Sequence, residues 1–257
     1  MNYVYLKWDN RIPAVGVLQK LINRTGERLG VDGIYGNNTR SAVQRFQRSR
    51  TLGVDGIVGQ HTWPRILANA NLPIIDCIDV FDEDLLHMEV RDVRRVGGNP
   101  VLIGGMSNGV EQAINDIVSA SGNNVFLLRF HGHGTSGVAG ISDGQGLSDG
   151  VDHRSSIDST NVARLLPILR RLAPIFGSYG NIQFMHCSTG RGPNGRRLLQ
   201  QIADGVGVPV TAALRDQLGG GVSTFKFEGP TFTAFPRAGN LRSWCTSLPN
   251  FPNFTPR

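Results

Sequence analysis

Val125-Phe126-Leu127-Leu128-Arg129-Phe130 runs directly into His131-Gly132-His133-Gly134-Thr135, and Asn181-Ile182-Gln183-Phe184-Met185 runs in the same way into His186-Cys187-Ser188-Thr189-Gly190. Each is a short, mainly apolar segment closed by small and polar residues, the pattern of a buried strand. Helical periodicity surrounds them. It covers Val110 to Ala120, then Thr160 to Phe176 with Val162, Leu165, Leu166, Leu169, Leu172, Ala173 and Phe176 on one face, then Gly195 to Gly205. Pro167 and Pro174 inside the second of these predict a kink or a division. Val208 to Ala213 reads as a third strand. Strands alternating with helices imply an α/β fold with a mainly parallel sheet flanked by helices, and in such sheets reactive residues collect at the carboxyl ends of the strands.

Upstream the signal weakens. Pro73-Ile74-Ile75 through Val80 reads as a strand, and Asp82-Glu83-Asp84 as a solvated acidic turn. The first 70 residues are different in kind, because they contain an internal repeat. Val31-Asp32-Gly33-Ile34-Tyr35-Gly36, followed by Thr39, recurs as Val54-Asp55-Gly56-Ile57-Val58-Gly59, followed by Thr62. Each copy reads as a turn in which both glycines supply positive φ, with Thr39 and Thr62 as helix N-caps. Ala14, Val17, Leu18, Leu21 and Ile22 share one helical face before the first copy. Ala42, Val43 and Phe46 do so between the copies, and Trp63, Ile66 and Leu67 follow the second. The expected organisation is a small three-helix domain over residues 1–70 and an α/β domain over residues 71–257.

Leu18-Gln19, the Val-Asp-Gly-Ile-Tyr-Gly turn, Ala42-Val43-Gln44-Arg45-Phe46-Gln47 and Thr62-Trp63 together resemble a peptidoglycan-binding domain of the three-helix type, over roughly residues 12–68. That resemblance implies non-catalytic binding of bacterial cell wall. The charge follows the same division. The chain has 26 Lys+Arg against 20 Asp+Glu, a formal charge of +6. Ten of those bases and four of those acids fall in residues 1–70, so the whole excess sits there. A basic module fits an anionic partner, and the resemblance points to cell wall rather than nucleic acid.

The chemistry is expected where the two strands end. If they are neighbours, a histidine and a cysteine meet at one sheet edge, as a thiol nucleophile requires. Gly134 then allows its N–H to approach a carbonyl oxygen, with the Cys187 N–H as second oxyanion donor. The arrangement resembles the caspase-like cysteine peptidases of clan CD, whose histidine and cysteine follow successive buried strands in that order. His131-Gly132-His133-Gly134-Thr135 is similar to the metacaspase Ser-Gly-His-Gly-Thr segment, and Cys187-Ser188-Thr189-Gly190 to the Cys-x-x-Gly at the nucleophile. The resemblance spans about Val110 to Ala213 and implies His133 and Cys187 as the catalytic dyad, with His131 as the alternative base if the alignment slips by two residues. Metacaspases carry an acid two residues before the nucleophile to bind a basic P1 side chain. Met185 stands there instead, leaving Asp143 or Asp149 as the acids available to replace it. His186 precedes Cys187 on its strand and points to the opposite face, as a packed core histidine.

Other classes are bounded by the same residues. L,D-transpeptidases, which also join peptidoglycan-binding domains, resemble a Ser-His-Gly-Cys-x-Arg pattern that Met185-His186-Cys187 lacks, and their fold is mostly β. A non-catalytic wall-binding protein is the other alternative. A zinc amidase would need His131, His133 and His153, but no helical HxxxE pair supports one, so neither metal nor cofactor is expected. Cys77, Cys187 and Cys245 form no CxxC pair. Cys187 is expected to be the free thiol, with any disulfide joining Cys77 to Cys245. No run approaches the length of a spanning helix, and Met1 to Gly16, with Lys7, Asp9 and Arg11, has no apolar core of a Sec leader. The expected setting is the cell envelope or the exterior, after a cytoplasmic stage before release, with peptidoglycan and a peptide or protein substrate as partners.

Overall fold

The computed structural model describes residues 1–68, 70–80, 83–103, 109–141 and 155–251. The chain opens with α1 (Pro13–Asn23), α2 (Asn37–Ser49) and α3 (Trp63–Leu67), and continues with β1 (Ile74–Asp79), α4 (Glu83–Arg95), β2 (Val101–Ile103) and α5 (Gly109–Ala120). There follow β3 (Val125–His131), β4 (Gly134–Thr135), β5 (Val138–Gly140), β6 (Ser156–Asp158), α6 (Val162–Leu169), β7 (Phe176–Phe184), α7 (Gly192–Val206), β8 (Val210–Ala213), β9 (Thr231–Ala234) and α8 (Leu241–Ser247). Contacts divide the chain into two units. One is Met1–Leu72 together with the segment from Gly239, and the other is Pro73–Ala238. Asp143, Asp149 and His153 lie outside the described residues, as does Asp82. Among the described residues no helix is long and apolar enough to cross a membrane.

The α/β unit is built on a mainly parallel sheet in the order β2-β1-β3-β7-β8-β9, with β9 antiparallel, and a small antiparallel sheet β4-β5-β6 beside it. Register sorts the side chains into two faces. Cys77, Phe130, Phe184 and Ala212 are cross-strand partners and pack with apolar residues of α5, α6 and α7 into one core. The neighbouring rung is polar although buried as far as Thr211: Asp76 pairs with Arg129, Arg129 with Gln183, Gln183 with Thr211, and Thr211 with the half-buried Thr233. Thr211 and Thr233 join hydroxyls at 2.9 Å. The opposite face therefore carries α4, which docks through Glu89 and Asp92 rather than through an apolar stripe alone.

The helix expected over Thr160–Phe176 is divided, as its prolines imply. α6 ends at Leu169, a 3-10 turn runs from Arg170 to Ile175 around Pro174, and Phe176 already begins β7. The acidic stretch expected as a turn instead leads into α4 at Glu83. β2, the small sheet, β9 and α8 are elements whose short lengths carry no periodicity to read.

In the first unit the two repeat turns are near-copies in atomic detail. Gln19, buried, donates from Nε2 to Asp32 Oδ1 at 2.8 Å, to the Ile34 carbonyl at 3.1 Å and to Thr39 Oγ1 at 3.1 Å. Its Oε1 accepts from the Asp32 and Gly33 N–H groups at 3.0 and 2.9 Å. Gln47 repeats this with Asp55 Oδ1 at 2.8 Å, the Ile57 carbonyl at 2.9 Å, Thr62 Oγ1 at 3.2 Å and the Gly56 N–H at 2.9 Å. Thr39 is thus not an N-cap, while Thr62 holds the N-cap position of α3 without using its side chain to cap. Gly36 precedes α2 with extended backbone, and Thr62 precedes α3 without a side-chain cap bond, because both hydroxyls are turned back into the turn. Gly33 and Gly56 do have positive φ, at 75° and 70°, whereas Gly36 and Gly59 do not. Tyr35 joins the copies, its hydroxyl donating to the Gly56 carbonyl at 2.9 Å.

The segment from Gly239 groups with this first unit, where the sequence placed it in the α/β domain. Asn240 caps α8 by accepting from the Ser243 N–H at 3.0 Å, and Cys245 is fully buried. A Cβ on Gly33 would meet Leu241 Cδ1 at 2.6 Å and Cys245 Sγ at 2.9 Å, so the turn glycine also makes room for α8. All three thiols are free. No disulfide joins Cys77 to Cys245: Cys77 is buried in β1 of the α/β unit, and Cys245 serves as a small apolar filler whose thiol burial pushes up to about 12.

Gln47→Met keeps the volume but removes the amide. Thermal or urea denaturation should then show a loss of about 1–3 kcal/mol for each buried partner left unpaired, and an unchanged midpoint would show that the repeat does not depend on this amide.

Candidate active site at the carboxyl edge of the sheet

β3 and β7 are hydrogen-bonded neighbours and parallel, so the residues that follow them emerge at the same edge. His131 ends β3 and His133 follows it; Cys187 follows β7. The β3–β5 segment then folds against the turn that holds the cysteine. The Gly137 N–H donates to the Thr189 carbonyl at 3.1 Å, and Ser136 Oγ to the Arg191 carbonyl at 2.7 Å. Thr189 Oγ1 donates to the Val138 carbonyl at 2.8 Å. Gly134 sits at the tightest point. A Cβ there would stand 2.6 Å from Thr189 Oγ1, 2.7 Å from His186 Cβ and 2.9 Å from the Val138 carbonyl oxygen. Only a glycine lets the backbone beside His133 come this close to the side chains that flank Cys187.

The cysteine is held from the other side by the segment after β8. Cys187 Sγ accepts from the Gln217 N–H at 3.3 Å, which fixes the side chain's direction. The Ser188 N–H donates to the Arg215 carbonyl at 3.0 Å, Ser188 Oγ donates to Asp216 Oδ1 at 2.8 Å, and the Gly190 N–H donates to the Ala213 carbonyl at 2.9 Å. Ser188 has φ of 52°, in the left-handed region that costs a non-glycine residue energy. Its two bonds, and that of Gly190 beside it, hold it there. The result is a sharp turn that leaves Cys187 half-buried at the strand end while its neighbours Ser188 and Thr189 are buried. Met185, two residues before, joins Ala213 and Phe227 in a small apolar cluster.

The four histidines and cysteines at this edge have different surroundings. His133 is half-buried. His131 is fully buried between carboxylates: Nε2 lies 2.8 Å from Asp76 Oδ1, and Nδ1 lies 3.3 Å from Glu89 Oε2, an ion-pair distance without hydrogen-bond alignment. Burial alone would push this imidazole down, but Glu89 and Asp76 outweigh it and push it up to about 9. Arg129, also buried, binds the same Asp76 through Nε at 2.7 Å and Nη2 at 3.2 Å, with its guanidinium 5.3 Å from the Phe225 ring centre. Burial opposes the Asp76 charge, yet Arg129 and His131 hold its carboxyl far below the usual range. His186 is the reverse case. Burial, with the charges of His131 and His133, pushes it down to about 3, against the pull of the Gly140 carbonyl that accepts from its Nε2 at 2.6 Å. It packs 5.7 Å from Phe184, on the face that strand alternation requires.

The structure therefore brings His133, Gly134 and Cys187 to one edge, and sets His131 into a buried charge network. Asp76, Glu89 and the Arg215–Gln217 segment are the contributors that sequence reading missed. Asp76 and Arg129 did leave a signal, since each is a charge inside an otherwise apolar strand, and such charges must be paired. Gln217 acts through its backbone and leaves none.

Residues 11–66 match the family model of a putative peptidoglycan binding domain. Among solved structures, the Burkholderia AP3 phage endolysin is 32% identical over a match that covers 35% of this chain and 32% of that one, with a TM-score of 0.25. The match thus spans about a third of that chain's length. No curated protein matches. The family match gives the first unit a peptidoglycan-binding domain and, with it, an association with the cell wall.

Stability should peak near neutral pH for two opposed reasons. His131, raised to about 9 from 6.5, contributes fully below pH 6.5 and loses that contribution as pH rises toward 9. His186, lowered to about 3, contributes above pH 6.5 and loses it as pH falls toward 3. Urea midpoints across pH 4–10 should show both limbs, with His131→Gln flattening the alkaline one and His186→Gln the acid one. An alkaline limb unchanged in His131→Gln would place the charge elsewhere.

Proposed function

We propose that this chain is a cell-wall-targeted cysteine hydrolase that cleaves an amide or peptide bond, the first unit holding it on peptidoglycan and the α/β unit carrying a His133–Cys187 dyad. What supports the reading is that the segments bearing His133-Gly134 and Cys187 leave the carboxyl ends of two adjacent parallel strands, with Gly134 packed against the segment that bears the cysteine. The order of histidine and cysteine along successive strands supports a caspase-like relationship. The mainly parallel sheet favours it over an L,D-transpeptidase-like reading, whose fold is mostly β.

In this mechanism His133 takes the Cys187 proton as sulfur attacks the scissile carbonyl carbon. The carbonyl oxygen, now negative, accepts from the Gly134 and Cys187 N–H groups. Collapse of the tetrahedral intermediate breaks the C–N bond, and His133 returns the proton to the leaving amine. Water, deprotonated by His133, then attacks the thioester and restores the thiol. The Gln217 N–H and the strained Ser188 turn keep the sulfur aimed during both halves. His131 supports this edge from behind, and its two carboxylate partners suit it to that role better than to taking a proton from Cys187. The apolar cluster of Met185, Ala213 and Phe227 favours an uncharged side chain beside the scissile bond over a basic one.

Purified sacculi incubated with the enzyme and separated as muropeptides test both substrate and bond. Cys187→Ala should abolish product release while sedimentation with sacculi is retained, and His133→Ala should slow release by about 10²–10⁴-fold. Normal turnover by Cys187→Ala would end the thiol mechanism. Cross-linked products in place of fragments would favour transpeptidation, and cleavage of proteins but not sacculi would redirect the substrate.

A further inference from the structure

The first unit contains a groove of about 510 Å³ at the ends of two helices, a size suited to a small ligand. Its walls include Arg24 and Glu27 at the end of α1 and in the turn after it, and Arg45, Phe46, Ser49 and Arg50 from α2 and its end. Arg45 and Glu27 form a two-point pair, Nε to Oε1 at 2.8 Å and Nη2 to Oε2 at 2.6 Å, and that bond to Arg45 holds the Glu27 carboxyl below its ordinary value. The pair uses two of the five guanidinium N–H donors.

Arg24 and Arg50 are the C-cap residues of α1 and α2. Each helix end brings a negative partial charge of about one half, so the arginines partly serve to offset it. With Glu27 counted as well, the groove keeps a net positive charge of about one. Arg50 is the least satisfied member. Its guanidinium carbon lies 5.6 Å from the Phe46 ring centre, and its Nε is buried with no hydrogen-bond partner among the described residues. A buried donor of this kind is destabilising until an acceptor arrives.

Resting on the wall-binding reading above, we propose that this groove receives a single carboxylate of the peptidoglycan stem peptide, with the Arg50 guanidinium as its principal donor. A net charge near one matches one carboxylate, and the fixed Glu27 charge disfavours an extended polyanion. The sugars of the polymer offer no charge to such a site, whereas each uncross-linked stem peptide ends in a carboxylate.

The test uses the full chain and titration calorimetry with a defined uncross-linked disaccharide tetrapeptide, native or with its carboxyls amidated. Arg50→Gln should weaken binding of the native form about tenfold or more, and Arg50→Lys should restore only part, because lysine keeps the charge but lacks the planar fork of donors. Arg48→Gln removes the same charge from an exposed position outside the groove and should leave affinity unchanged. Amidating the ligand should reproduce the Arg50→Gln loss on the wild-type protein, which keeps the test valid if that variant folds poorly. Equal losses in the Arg48 and Arg50 variants, or no effect of amidation, would overturn the proposal while leaving wall binding intact. Sacculi stripped of phosphate polymers with hydrofluoric acid should bind as before, and loss of binding there would assign the groove to phosphate instead. Failure of the wild type to sediment with any sacculi would overturn the wall reading itself.

Discussion

The α/β unit is organised around one buried ion pair. Asp76 and Arg129 are both removed from water, and such charges are tolerated only where geometry and further hydrogen bonds compensate their desolvation. That requirement sets β1 against β3 in a single register, because a slip of either strand by one residue would turn its charge toward the apolar core formed with Cys77 and Phe130 and leave the partner charge buried alone. It also makes a place for His131, which supplies a second positive charge to Asp76 and draws Glu89 of α4 to the same face. The histidine at the end of β3 is thus an anchor for α4, and the chain beyond it is released toward Cys187.

A related rule governs the first unit with neutral groups. An Asp-Gly turn exposes backbone N–H and C=O groups that a compact helical domain must satisfy. Gln19 and Gln47 do so from inside, each amide reaching an aspartate, a carbonyl and a threonine at once. This explains why the aspartates and threonines recur at the same offsets. The repeat is a hydrogen-bond unit copied twice, and the helices pack around it.

Much of the candidate site was legible because its residues stand at strand ends marked by glycine. The run Val125–Phe130 and the segment ending at Met185 needed no tertiary information to be read as strands, and parallel order followed from the intervening helices. What was not legible was which histidine had carboxylate neighbours. His131 and His133 are two residues apart and chemically identical in the sequence. One is enclosed by Asp76 and Glu89, 55 and 42 positions away, while the other emerges half-buried at the edge. The same blindness applied to the threonines of the repeat, whose spacing suited caps while their partners were glutamines on preceding helices.

By itself the sequence determined the division into a basic repeat-bearing module and an α/β module, the parallel order of the main strands, and the arrival of His133 and Cys187 after two of them. These follow from periodicity, from proline and glycine placement and from local charge, all short-range properties. The tertiary structure alone decided the buried Asp76–Arg129–His131–Glu89 network, the Gln217 N–H on the thiol, the return of α8 to the first unit and the basic groove at Arg50. Each of these joins residues far apart in the chain through a distance or a desolvated charge, and neither is encoded in any one segment.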